Sequence, residues 1–165
     1  MRQHAILGAL AALFLGFTGA AHADQMSDGD AAFHKGDYAK ALELLKPLAE
    51  QGNAEAQCLV GIMYLTGHCV AKDPALAAKW LLASAKQGQK GAQVNIGIVY
   101  ATGEGMPKDY VKGYLWFTVA VSRGVEGVDK YRDHVATEMT PDQIERGKHD
   151  AKTCLDTNFK DCGGD

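Results

Sequence analysis

The chain has 165 residues, with 17 Lys and Arg against 20 Asp and Glu and a net charge of −3. Mild acidity without any run of basic residues argues against nucleic acid or an anionic membrane surface as the main partner, since the field has the wrong sign for both. The length is one domain's worth, enough to bury a real core.

In chain order, the first feature reads as an export signal. Arg2 supplies the positive start, Ala5 to Ala20 is apolar apart from small residues and Thr18, and Ala21-His22-Ala23 has the small-x-small form of a cleavage site. The apolar run is too short and too rich in Gly and Ala for a membrane span. Cleavage after Ala23 leaves 142 residues, the 165 less the first 23, and no Cys follows the site to carry a lipid. The expected location is periplasmic or secreted, with no membrane insertion after cleavage. Four cysteines in an exported chain point to disulfide formation.

The segment 24–52 follows, with a short first helix expected over roughly 26–35, a Gly36-Asp37 turn, and a second helix that Pro47 should bend or disturb. It reads as an N-terminal capping half-repeat. The next two segments, 53–88 and 89–124, are nearly copies of each other. "LVGIMYLTG" at 59–67 recurs as "NIGIVYATG" at 95–103, 36 residues on. Gly52, Gly88 and Gly124 share that period, as do Asp37, Asp73 and Asp109, and Leu44, Trp80 and Trp116. Gln57 recurs as Gln93 and Tyr64 as Tyr100. A fixed period of this length marks stacked supersecondary units.

Each unit reads as two helices. Ala56, Val60, Met63 and Tyr64 recur at spacings of three and four, which places them on one helical face. Gly61 and Gly97 lie inside the first helices, where glycine costs up to about 1 kcal/mol relative to alanine. Repetition of that cost at one register implies a neighbouring helix too close for a side chain. Gly67 and Gly103 supply the left-handed helix end, and Asp73 and Asp109 cap the second helices. No segment alternates with the period of a strand. The remainder, 125–153, reads as a C-terminal capping helix pair: one helix from Asp129 to Met139, then one from Pro141 to about Lys152 opened by the capping box Thr140-Pro141-Asp142-Gln143. A Cys-containing tail, 154–165, closes the chain.

"AQVNIGIVYATGEGMPKDYVKGYLWFTVAVSRG" resembles a Sel-one-like repeat, a relative of the tetratricopeptide repeat, through its A-x-x-x-L-G-x-x-Y-x-x-G-x-G-V-x-x-D-x-x-x-A-x-x-W pattern. Two full units and flanking half-units carry the likeness, and "KYRDHVATEMTPDQIERG" is similar to the closing segment of exported members. Cys69 where the second unit has Gly105, Met106 for the usual Val, and Gly113 for Ala depart from the pattern. The resemblance implies an all-α, right-handed α-solenoid of helix-turn-helix units and a role in protein–protein contacts.

Candidate chemistry is sparse. Cys154 and Cys162 are eight apart and can bridge if the tail folds back. Cys58 reads as a small core residue, and Cys69, in a loop, as a free or long-range thiol. The cysteine spacings match no zinc signature. His134 and Glu138, one turn apart, read as a polar face rather than a chelate, and His68 as solvated loop. The resemblance also implies a rival reading, a β-lactamase-like or cell-wall hydrolase, against which stands the lack of any Ser-x-x-Lys or Gly-x-Ser-x-Gly element; a disulfide-linked structural oligomer is a third. The expectation is a non-catalytic adaptor, monomeric or weakly oligomeric, without cofactor or metal, that binds a protein or peptide. Gln57, Gln93 and Asn95 are expected on its concave face, with Tyr110, Tyr114 and Tyr131 as off-register contact residues. Trp80, Trp116, Tyr64 and Tyr100 are expected to be packing.

Overall fold

The computed structural model describes residues 17–162, with side chains from residue 22 onward. Among the described residues there are eight helices and no strand: α1 (Phe17–His34), α2 (Tyr38–Glu50), α3 (Ala54–Thr66), α4 (Pro74–Lys86), α5 (Lys90–Thr102), α6 (Tyr110–Ser122), α7 (Asp129–Ala136) and α8 (Pro141–Asp156). Successive helices pack as hairpins, α1 on α2, α3 on α4 and α5 on α6. Each hairpin also packs on the next through α2 on α3 and α4 on α5. The result is an all-α solenoid.

The turns follow from the repeated residues. α3 and α5 both end in a left-handed glycine with φ 77°, at Gly67 and Gly103, where a Cβ would be strained. Asp37, Asp73 and Asp109 each accept a hydrogen bond from the backbone N–H three residues on, at 3.2, 2.9 and 3.0 Å. Each thereby satisfies an orphan donor at the start of α2, α4 and α6. Gly88 and Gly124 follow the ends of α4 and α6 with φ 85° and 78°.

The interior glycines mark the contact line within each hairpin. A Cβ on Gly61 would stand 2.9 Å from Leu81 Cγ, and one on Gly97 2.7 Å from Phe117 Cε1. Gly29 does the same in the first hairpin, 2.6 Å from Leu45 Cδ2. Leu45, Leu81 and Phe117 lie on one 36-residue column, whereas Gly29 is out of register because the first hairpin loop, 35–37, is four residues shorter than 67–73. The core is continuous with these contacts. Leu45 and Met63 are fully buried on one side, and Leu81, Ile96 and Leu115 in the middle. Trp116 is buried, while Trp80 in the same column is half-buried in the preceding layer. Tyr64 is half-buried and Tyr100 buried, and their carbonyls accept from Asp73 and Asp109 N–H, each at 2.9 Å.

Four elements differ from the sequence expectation. α1 begins at Phe17 rather than near residue 26, and runs through Ala23, the expected cleavage position. Residues 1–16 of the expected signal lie outside the described residues. α2 is continuous through Pro47, because burial of Leu45, Leu48 and Ala49 holds the helix across a single missing hydrogen bond. α7 ends at Ala136, three residues early, while α8 extends to Asp156.

The regular stack ends at α7: among the described helices none folds back on it as a hairpin partner. α8 instead packs on α6: Gly147 lies against Tyr114, where a Cβ would be 2.8 Å from Cδ1. Its start is the capping box, with Thr140 Oγ1 accepting from Gln143 N at 3.3 Å and Thr140 N donating to Gln143 Oε1 at 2.8 Å. Its end is pinned by a Cys154–Cys162 disulfide with Cα atoms 4.3 Å apart. That loop seats Phe159 against Gly88 and beneath the Arg123 guanidinium, 4.8 Å from the ring centroid.

A candidate protein-binding groove at the end of the stack

In the regular hairpins, the loop of one unit rests on the first residue of the preceding second helix. Those first residues are Tyr38, Pro74 and Tyr110, 36 apart. The His68 imidazole stacks flat on Tyr38, with centroids 4.3 Å apart and planes within 8°. Gly105 lies so close to the Pro74 carbonyl and Ala75 N that a Cβ there would collide with backbone, and the loop is tied down by Lys72 and Glu104 at 2.7 Å. Among the described residues no following hairpin loop covers Tyr110. The helix after it, α7, has 8 residues where α5 has 13. It begins three residues later and ends two earlier than α5 carried forward by 36.

The uncovered space is a cavity of about 450 Å³. Ile98, Ala101 and Thr102 of α5 form one wall, and Tyr110 and Phe117 of α6 the floor. Tyr131, His134 and Val135 of α7, with Glu138 just beyond, close the other side. Tyr131 is 45% exposed, a large apolar side chain left open on the described surface. Its ring stacks on Phe117 with centroids 5.9 Å apart. Lysine ammonium groups lie over both tyrosines, Lys108 at 5.3 Å from the Tyr110 ring and Lys130 at 5.5 Å from the Tyr131 ring. The hydroxyl of Thr102 is committed to Ile98 O at 2.9 Å. Apolar walls with a few polar groups at the rim suit binding of a side chain or short segment.

Of the contact residues expected from sequence, Tyr110 and Tyr131 meet in this groove. Tyr114 does not: it is buried under α8 at Gly147. Gln57 and Gln93 are also turned inward and reach no surface. Each ties one unit to the next. Gln57 Nε2 donates to Ala49 O at 3.1 Å and Gln93 Nε2 to Ala85 O at 3.3 Å. Their Oε1 atoms accept from residues that are themselves 36 apart, Gln87 Nε2 at 2.7 Å and Arg123 Nη1 at 2.9 Å. Arg123 also donates to Gly88 O. A glutamine at a buried register must find partners on both ends, and here the unit junction supplies them. Asn95 is half-buried and its Nδ2 donates to Gly91 O of its own helix at 2.9 Å. The repetition of Gln57 and Gln87 as Gln93 and Arg123 was the signal for this clasp.

The other candidates are placed as follows. Cys58 is buried, and burial first, then the Glu55 carboxylate, pushes its thiol up to about 12. Cys69 is exposed in the α3–α4 loop, with φ 63° at the position of Gly105. His134 and Glu138 share the groove, and among the described residues no three metal-ligating side chains come together. Ser84 is buried, its hydroxyl donating to Ala54 O at 2.5 Å. No described helix is long and apolar enough to cross a membrane.

Stacked hairpins with a disulfide-pinned end and an open apolar groove define a helical repeat scaffold of the kind that mediates protein–protein interaction. The chain belongs to the Sel1 repeat family: the Sel1 repeat pattern matches residues 9–53, 54–89 and 91–125, well over half of it. Two solved structures are similar. One is a protective antigen of uropathogenic Escherichia coli strains with an SLR fold, at 27% identity and TM-score 0.74, covering 86% of this chain. The chain spans 30% of that antigen's length. The other is a Sel1 repeat protein from Oxalobacter formigenes, at 27% identity and TM-score 0.62, covering 71% of this chain and 91% of its own. No curated protein matches the sequence.

Proposed function

We propose that the protein is a non-catalytic, exported adaptor that binds a segment of another protein in the groove between α5, α6 and α7. The observation that supports this most is Tyr110, the one first-of-helix residue in its column that no hairpin loop covers, with Tyr131 open beside it. A cavity of about 450 Å³ falls in the range used for specific small sites, and tyrosine is among the side chains that anchor interfaces. Export is supported by the small-x-small Ala21-His22-Ala23 and by the Cys154–Cys162 disulfide, which persists in an oxidising compartment. The protein works as a monomer or weak oligomer, without cofactor.

Photo-cross-linking in cells tests the interaction. A benzoylphenylalanine at position 131 is expected to trap a discrete partner, and the same group at the exposed Lys46 of α2 is not. No adduct from 131, or the same adducts from both positions, overturns the groove as the binding face. Turnover of nitrocefin by pure protein, abolished by one Ser or Cys substitution, would overturn the non-catalytic reading.

A further inference from the structure

We infer that the groove is built for a flat ring presented on a turn or loop of the partner and flanked by carboxylates. This rests on the adaptor reading above. What covers the two equivalent positions inside the molecule indicates what fits the third. Tyr38 is covered by a planar side chain at van der Waals distance, the His68 imidazole, and Pro74 by the glycine backbone of a hairpin loop. Tyr110 offers the same footing, and Tyr131, 45% exposed and backed by the buried Phe117 ring, adds a second ring at the opening. Aromatic groups pack against such faces in offset-stacked or edge-on geometry.

A second copy of the chain is a poor occupant. Its loops 67–73 and 103–109 each rest on the preceding unit. The remaining hairpin loop, Lys35-Gly36-Asp37, is four residues shorter and carries no ring. The rim decides the flanking chemistry. Lys108 and Lys130 stand beside the lining, their ammonium groups 5.3 and 5.5 Å from the ring centroids of the groove's two tyrosines and that of Lys108 bonded to the Tyr110 hydroxyl, while the lining itself contributes Glu138 and His134. Carboxylates beside the incoming ring therefore meet two cations, and lysines there meet like charge.

The test is an amide-shift titration of the 15N-labelled protein with three capped tripeptides, Asp-Trp-Asp, Lys-Trp-Lys and Asp-Ala-Asp. Asp-Trp-Asp is expected to give saturable shifts at Ala101, Thr102, Tyr131 and His134. Lys-Trp-Lys is expected to bind at least threefold more weakly, and Asp-Ala-Asp not measurably. Tyr131→Ala should abolish the shifts and Tyr131→Phe should restore them, and Lys130→Ala should narrow the preference for Asp-Trp-Asp. The proposal is overturned if no peptide gives saturable shifts there, if Lys-Trp-Lys binds as well, or if Asp-Ala-Asp binds equally. Failure of the titration while position 131 still cross-links a partner removes the ring and carboxylate chemistry and leaves the adaptor function standing.

Discussion

Gln93 shows how a polar residue on a repeated register serves the stack rather than a ligand. It is fully buried, with its amide donating to Ala85 and its oxygen accepting from Arg123. Gln93→Ala leaves Arg123 without that acceptor and is expected to cost about 1–3 kcal/mol in denaturant unfolding. Asn95→Ala, which removes a bond within its own helix, should stay within about 0.5 kcal/mol. Equal losses for the two would contradict the clasp. Cys58 gives a second residue-scale outcome. Its thiol is held up to about 12 by burial, so at pH 8 iodoacetamide should label the exposed Cys69 and spare Cys58 until the protein is denatured. The folded state keeps this proton more tightly than the unfolded chain does. The contribution to stability is therefore full below pH 9 and is lost as pH rises from 9 to about 12. Cys58→Ala should flatten that alkaline slope.

Among elements, the hairpins depend on close approach at Gly61 and Gly97. Gly97→Ala forces Phe117 or α6 to shift by several tenths of an ångström, and the expected loss is about 1–3 kcal/mol by thermal unfolding. The period of 36 made this contact legible from sequence, because a costly glycine at one register twice over implies a neighbour. Gly29 was not legible: the shortened loop at 35–37 shifts it out of the column, so α1 reads shorter than it is. The groove was half legible. Tyr110, Tyr114 and Tyr131 all read as off the packing register, but Tyr110 stands in the column of Tyr38 and Pro74, and Tyr114 is buried. What separates them is α8, which covers Tyr114 from a direction that no spacing within the repeats encodes. The end of α8 is closed by a nine-residue disulfide loop, and reduction or Cys162→Ser should cost about 2–3 kcal/mol by the chain-entropy estimate. Protease sensitivity within 157–162 should rise with it.

At the scale of the whole molecule, three hairpins stack through successive apolar clusters, closed by α8 and left open at α7. Export is checked by sequencing the N-terminus of the protein recovered from the periplasm or medium, which is expected to begin at Asp24. The most direct test of the stack is hydroxyl-radical footprinting of the aromatic side chains in the native protein. Tyr131 should be modified fastest of the tyrosines and the half-buried Tyr110 measurably, with Tyr100, Tyr114 and Trp116 protected until unfolding. Modification of Tyr114 or Trp116 as fast as Tyr131, or protection of Tyr110 and Tyr131 in the isolated chain, would contradict a stack that closes over the former and stops short of the latter.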